Sequence, residues 1–390
     1  MENQEVQARL FVVGGFLGAG KTTALTALAD HFIRRRKRVA MITNDQTDGL
    51  VDSEIVRTHG IQYREISGAC FCARFRDFLY AADALLQEIQ PDVILAEPVG
   101  SAADLIATVI KPLRTYTQDR YKVMPLTVLA DPLRIGEMLP DDQQTVAASP
   151  WPDEIRYLYD HQLREADCIL MTKSDLASER EKENARRILV RRFHALRPAL
   201  PILPFSAVTG AGLPEWLSHL EAIGQTGSLP LASFDRDRHA KAESALGWLN
   251  LEAQVIPENG GHDIDAAALI HGFLQRLNDI MSGAPVGHLK IFAEAAGNAI
   301  KASIVDWRLG YAMDAFESDA LKPDAITRPA GSARILVNLR AIRDPNELAQ
   351  QTIHALRDAA SLQNSMIQIT KEKALRPGKL KPTYRIGGDQ

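Results

Sequence analysis

"RLFVVGGFLGAGKTTALTAL", Arg9–Leu28, decides the architecture of the first half of this chain. An apolar run, Leu10–Val13, reads as a buried strand, and a helical period begins near Lys21. Between them "GFLGAGKT", Gly15–Thr22, fits G-x-x-x-x-G-K-[ST] in the strand-then-helix context that the phosphate-binding loop requires. Gly15, Gly18 and Gly20 let the backbone turn its N–H groups inward around phosphate oxygens, and the helix start adds the positive end of a dipole. Gly15, Gly18, Ala19, Gly20, Lys21, Thr22 and Thr23 are therefore the expected phosphate cradle. Lys21 would reach the β and γ phosphates, and the Thr22 hydroxyl would ligate Mg²⁺.

Outward from this loop, short apolar runs alternate with segments of helical period. "RVAMITND", "DVILAEP", "PLTVLADP", "CILMTKSDL" and "ILPFSAVTG" read as strands, separated by helices such as "RDFLYAADALLQEI" and "ARRILVRRFHAL". That alternation predicts an α/β domain, a P-loop fold with a mostly parallel sheet and helices on both faces, over residues 1–223. "GQTGSLPLASFDRDRHAKAES", residues 224–244, is poor in large apolar residues and suits a linker. In residues 245–390 strands follow one another too closely for parallel crossovers, which predicts a smaller α+β domain. Its tail, "ALRPGKLKPTYRIGGDQ", is basic and proline-spaced and is expected to lie extended on the surface.

Composition sets bounds on the class. The 390 residues suit two domains, and 46% hydrophobic with 24% charged residues is a globular composition without a bilayer-spanning run. A net charge of -4 supplies no general attraction to nucleic acid or anionic lipid, so neither is an expected partner. The basic run Arg34–Arg38 falls where the first helix ends and cations suit the helix dipole. The acidic N-terminus lacks the lead of a signal peptide, so a cytoplasmic protein is expected, with Cys70, Cys72 and Cys168 kept as thiols.

The base must be chosen by distal motifs, and they favour guanine. "ILMTKSDL" puts Lys173 and Asp175 at a strand end in the pattern [NT]-K-x-D, with Thr172 at the position where asparagine is commoner. The aspartate would accept from guanine N1–H and the 2-amino group, which adenine cannot satisfy. "FSAVTGAGL" then adds Ser206 and Ala207 as backbone contacts to the base. Glu97 in "EPVGS" leaves its strand at the carboxyl edge, where it could hold the Mg²⁺ water shell or orient the attacking water. Gly100 could let the following loop move. Asp45 and Asp52, in "NDQTDGLVD", are candidates for a first switch and a second Mg²⁺-facing carboxylate.

In these segments the chain resembles the CobW family of P-loop GTPases, related to the UreG/HypB-type GTPases that insert nickel into urease and hydrogenase. The resemblance rests on "GGFLGAGKTT", "NDQTDGLVD", "GACFCARF", "EPVGS", "TKSD" and "SAVTG". It implies a slow GTPase with Lys21, Glu97 and Asp52 as its catalytic set, which couples nucleotide state to delivery of a metal or metal cofactor. The implied partner is a client metalloenzyme or cofactor-dependent protein. The family hallmark is Cys-x-Cys-Cys, whereas this chain has Cys70, Phe71, Cys72, Ala73 and no histidine-rich tract.

Two thiols on a glycine-led loop can converge on Zn²⁺ or another thiophilic ion, and Arg74, Arg76 and a following helix would favour the thiolates. Two ligands leave a tetrahedron incomplete. Glu65, water or the Cys70/Cys72 pair of a second subunit in a two-fold homodimer would have to supply the rest. The competing readings are a degraded site of packed small residues and, ranked lowest, a disulfide. Cys168, in "CILM", reads as core, and His288 as a strand histidine. The alternative function is a GTP-gated client-binding protein or folding chaperone without its own metal; an ATP-using kinase is a third, with no role for Asp175.

Overall fold

A computed structural model describes residues 8–44, 51, 61–117, 120–140, 143–224, 233–258, 263–296, 298–317, 331–379 and 381–387. The chain divides into two compact units, one of residues 1–46, 61–242 and 379–390, the other of residues 47–60 and 243–378.

The first unit holds β1 (Ala8–Gly15), β2 (Val39–Asn44), β3 (Gln62–Ile66), β4 (Val93–Glu97), β5 (Tyr121–Val123), β6 (Thr127–Ala130), β7 (Cys168–Met171) and β8 (Ile202–Pro204). Their order is β3-β2-β4-β1-β6-β7-β8, with β5 beside the start of β1, and every pair is parallel. Leu10, Phe11, Val12 and Val13 are all buried because helices cover both faces, the pattern of a central parallel strand. β1 lies between β4 and β6, so the chain winds in both directions from it. The carboxyl end of such a strand is where open α/β sheets bind ligands.

The helices of this unit are α1 (Lys21–Ile33), α2 (Phe75–Ile89), α3 (Lys111–Tyr116), α4 (Pro132–Met138), α5 (Gln143–Ala148), α6 (Asp153–Glu165), α7 (Glu179–Leu189), α8 (Leu213–Ile223) and α9 (Arg236–Ala245). α3 is entered through a π-helical turn, Ile106–Ile110. Arg34–Arg38 follow the end of α1 and are exposed, in keeping with a helix terminus. The stretch 224–244 was expected to be a linker, but its last part is helical: α9 starts at Arg236, and residues through Ala242 group with the first unit.

The second unit is built of β9 (Gly247–Pro257), α10 (Ala266–Met281), β10 (Val286–Ala295), β11 (Asn298–Ile304), β12 (Ala312–Glu317), β13 (Ala333–Ala341), α11 (Pro345–Ser361) and β14 (Ser365–Leu375). Its antiparallel order is β12-β11-β10-β13-β9-β14. Alternate residues Leu249, Leu251, Ala253 and Val255 of β9 enter one core with Phe273 and Leu277 of α10 and Leu348 and Leu356 of α11. Asp265 and Asp344 start the two helices by accepting backbone N–H groups, and Pro345 occupies the first turn of α11.

Two assignments of chain to unit differ from sequence order. Val51 groups with the second unit: it is buried against Phe292, Ala299 and Leu336, and its N–H donates to Asn338 Oδ1 at 2.8 Å. The last dozen residues were expected to go with the second domain, yet they group with the first, where their hydrogen-bond partners lie.

Candidate functional site

The phosphate loop is shaped by its neighbours. Gly15 has φ +138°, and a Cβ there would lie 2.8 Å from Leu129 O of the adjacent β6, so only glycine fits. Gly20 has φ +85° and nothing within 4 Å of an added Cβ, which leaves open space over the N-terminus of α1. Lys21 Nζ donates to Gly15 O at 3.0 Å and lies 3.5 Å from Phe16 O, capping the loop's own carbonyls. Arg134 of α4 donates to Leu17 O at 2.9 Å while its guanidinium stacks on Trp151 at 5.5 Å.

Thr22 Oγ1 donates to Glu97 Oε1 at 3.1 Å, with both side chains about 5% exposed. The expected magnesium hydroxyl and the expected strand-end carboxylate thus meet, although 75 residues separate them. Two oxygen donors below an open anion cradle fit a hard divalent cation bound together with phosphates. Gly100, three residues on, is required for space: a Cβ there would come within 2.5 Å of Leu17 Cδ2, so its glycine lets this segment press on the phosphate loop. Asp45 and Asp52 lie outside the described residues.

In the segment expected to contact the base, Thr172 Oγ1 donates to Ala19 O at 2.9 Å and lies 3.3 Å from Ala130 O. The threonine therefore ties the end of β7 to the phosphate loop. Lys173 stands at φ +53°, and its ammonium pairs with Asp131 Oδ2 at 2.6 Å. Burial holds the Lys173 pKa below its usual value, against the pull of Asp131. Asp175 is exposed at the same edge, and Ser174 N donates to Phe205 O at 3.2 Å, which joins this segment to the next. Ser206 is buried and closes its own turn, accepting from Thr209 N and Gly210 N.

The CobW/HypB/UreG nucleotide-binding domain profile matches residues 9–203, half of the 390-residue chain. The chain belongs to the CobW/HypB/UreG family. It is 29% identical over 182 residues to the zinc chaperone YjiA of Escherichia coli, covering 44% of this chain and 51% of that one. It is 30% identical over 183 residues to the zinc chaperone CobW of a Sinorhizobium species, covering 42% and 50%. A 25% match over 247 residues joins it to the zinc-regulated GTPase metalloprotein activator 1 of Dictyostelium discoideum, covering 54% and 51%. The chain spans about half the length of these curated relatives. Among solved structures, the nickel complex of HypB from Helicobacter pylori aligns with TM-score 0.40 and 18% identity, over 59% of this chain and 93% of that one.

The CobW-type cysteine loop departs from expectation. Cys70 and Cys72 are joined by a disulfide, the option ranked lowest, with Cα atoms 5.3 Å apart. In this state neither sulfur is a thiolate ligand; the side chains converge closely enough to bond each other because one turn of loop, closed by Ala73 N and Arg74 N on Cys70 O, brings them together. Arg74 does not serve the sulfurs, since its guanidinium pairs with Asp77. Among the described residues no group of three His, Cys, Asp or Glu side chains is placed to hold a metal. Asn44, at the end of β2, anchors the loop: its amide donates to Ile66 O and Ala69 O, and its oxygen accepts from Phe71 N. Cys168 is buried in β7, and burial pushes its thiol up to about 12. His288 is buried in β10.

Sequence reading missed Asp131, Arg134 and all of α6. "ADP" at Ala130–Pro132 carried a signal for the first, an aspartate before proline at a strand end, which is a helix N-cap. α6 carries Ile155, Leu158, Tyr159, Gln162 and Glu165 on its buried side, an apolar stripe that ends in two polar residues. Gln162 Nε2 donates to Gly100 O at 3.0 Å and Ala102 O at 2.8 Å, while Glu165 accepts from Asp104 N and Ile106 N.

Proposed function

We propose that this chain binds and slowly hydrolyses GTP and uses the cycle to deliver a metal, or a metal-bearing cofactor, to a client protein. The Thr22–Glu97 hydrogen bond beneath the phosphate loop carries the nucleotide half of this reading. Lys21 and the loop amides would neutralise charge developing on the phosphates, and Glu97 would hold or orient water beside Mg²⁺. Magnesium, when bound, would supply the charge that draws the phosphate oxygens together. Asp175 would select guanine, with Lys173 fixed over the ring by Asp131. Asp52 remains the candidate for a second magnesium-facing carboxylate.

Names of the similar zinc chaperones support zinc as the cargo. The ligands would be Cys70 and Cys72 after reduction, when two electrons and two protons from a thiol reductant convert the disulfide to the dithiol. A two-fold homodimer would complete a four-thiolate site. A cytoplasmic setting supplies the reductant, and no helix among the described residues is long and apolar enough to cross a membrane.

The disulfide itself favours a second reading, a GTP-gated client-binding protein or folding chaperone with no metal of its own. Zinc titration of the full chain with and without dithiothreitol, in the GDP and GTP states, separates the two. The metallochaperone reading expects one high-affinity site that appears on reduction, changes affinity with nucleotide and is lost in Cys70→Ser/Cys72→Ser. Zinc binding indifferent to those cysteines would favour the second reading. Equal competition by ATP and GTP, or unchanged GTP affinity in Asp175→Asn, would remove the guanine assignment from both.

A further inference from the structure

Residues 381–387 connect two places that the nucleotide cycle has to connect. At one end, Thr383 N donates to Cys72 O at 2.7 Å and Thr383 Oγ1 to Ala73 O at 2.8 Å, so the strand of tail grips the cysteine loop by its backbone. At the other, Arg385 Nε donates to Asp104 Oδ2 at 2.7 Å, and Ile386 N donates to Ala107 O at 2.9 Å. Tyr384, between them, sets its ring edge-on to Phe75 at 5.6 Å and beside Tyr116 at 5.2 Å. Three consecutive residues thus touch the loop of Cys70–Cys72, the helix that follows it and the segment downstream of Glu97.

Asp104 is an unusual residue to hold. It is buried, with its side chain 5% exposed and that of Arg385 16%, and it sits at φ +58°, a left-handed conformation that strains a non-glycine residue. Burial raises the Asp104 pKa, and the Arg385 guanidinium is the chief group opposing that. The same stretch, Gly100 to Ala107, is also gripped by Gln162 and Glu165 of α6, and His239 Nε2 lies 2.9 Å from Ser101 O. Its near end packs Gly100 on Leu17 of the phosphate loop. From Asp104 the backbone runs back to Gly100, which abuts Leu17 of the phosphate loop and stands three residues after Glu97.

We propose that Thr383–Ile386 is a strap that couples the state of the cysteine loop to the nucleotide site, and that Arg385 is a positioning residue for GTP hydrolysis, acting on Glu97 through Asp104 and Gly100. The proposal deepens the GTPase reading and rests on it. By reciprocity, whatever changes Cys70–Cys72 changes the Glu97 segment by the same free energy that nucleotide exerts on the cysteine loop.

The test uses the full chain. Arg385→Ala is expected to lower kcat for GTP about fivefold, the size of one pairwise contact in a coupled network, while KM stays near wild type. Arg385→Lys, which keeps the charge, should recover part of kcat. Combining Arg385→Ala with Asp104→Asn should add little to either alone, because both break one contact. Reducing the Cys70–Cys72 disulfide should change kcat in wild type and leave it unchanged in Arg385→Ala. Additive effects, a parallel loss of kcat and KM, or an undiminished response to reductant in Arg385→Ala would overturn the strap.

Amide hydrogen exchange keeps this separable from the GTPase reading. Arg385→Ala should raise exchange at residues 71–75, and Thr383→Val should raise it at residues 104–108, each at the far end of the strap. If wild type hydrolyses no GTP but these reciprocal changes appear, the mechanical link from the cysteine loop to Asp104 stands, while the GTPase reading and with it the positioning role of Arg385 fall. If hydrolysis is present and exchange rises only beside each substitution, the strap falls alone.

Discussion

Thr22 Oγ1 sits 3.1 Å from Glu97 Oε1, so the first residue of α1 able to touch a metal and the last residue of β4 share one hydrogen bond. Neighbouring parallel strands set this up: β1 pairs with β4 in register from Arg9 with Val93 to Val12 with Ala96, and the two strand ends then open at the same edge. Glu97→Gln is expected to lower kcat for GTP about a hundredfold with KM unchanged, the loss typical of one preorganised electrostatic group. Thr22→Ala should instead weaken nucleotide binding in magnesium and leave binding in EDTA at the wild-type level. Steady-state kinetics and fluorescent-nucleotide titration check both.

Thr172 replaces the commoner asparagine of the base motif and still ties the strand end to Ala19 O. Thr172→Val keeps the volume and leaves that buried carbonyl without its donor, a cost of about 1–3 kcal/mol. GTP affinity should fall about tenfold, which corresponds to 1.4 kcal/mol. Thr172→Asn, which restores a donor, should bind GTP like wild type. Equal losses in the two variants would mean that the hydroxyl is a packing group and not a tie.

Local patterns made the parallel sheet legible, and the structure brings the expected phosphate loop, Glu97 and the T-K-x-D segment to one edge of it, because each is a short run shaped by its own neighbours in sequence. The partners that hold these groups were not. Lys173 was visible, but Asp131, its partner, lies 42 residues away, and Gln162 and Glu165 reach Gly100 and Asp104 across about 60. Nothing in the tail marked Arg385 as the partner of Asp104, since a basic, proline-spaced terminus reads as solvated. The sequence favoured a metal over a degraded site at Cys70 and Cys72 and put a disulfide last, whereas the fold of the loop brings the two sulfurs into a bond.

Gly100 presses on Leu17 without any unusual φ, so its requirement is for space alone. Gly100→Ala puts a Cβ 2.5 Å from Leu17 Cδ2 and 3.1 Å from Leu17 Cα. Overpacking of this kind costs about 1–3 kcal/mol, and here the strain falls on the phosphate loop. The variant should lose GTP affinity and melt at lower temperature. Adding Leu17→Ala removes the side-chain clash and should restore most of the affinity, measured by the same titration.

Glu165 gives the first unit a pH dependence of definite sign. Burial pushes its carboxyl up to about 8, with the charge of Asp104 adding to the rise and the N–H groups of Ile106, Asp104 and Leu105 opposing it. His161, 3.4 Å away, is held neutral by burial, its pKa pushed down to about 4. A carboxyl raised in the folded state binds a proton there that the unfolded chain has already released. Stability is then fully present below the ordinary value of 4.5 and is lost as pH rises toward about 8. The slope for one such group reaches about 1.4 kcal/mol per pH unit. Urea unfolding of wild type should therefore show stability declining between pH 5.5 and pH 8, limits set on the order of those two pKa values. Glu165→Gln cannot titrate, so its stability across the same range should decline less steeply, and the two curves should converge or cross as pH rises. Parallel curves would mean that Glu165 is ionised in the folded protein throughout and that the grip on Asp104 and Ile106 is made by a carboxylate.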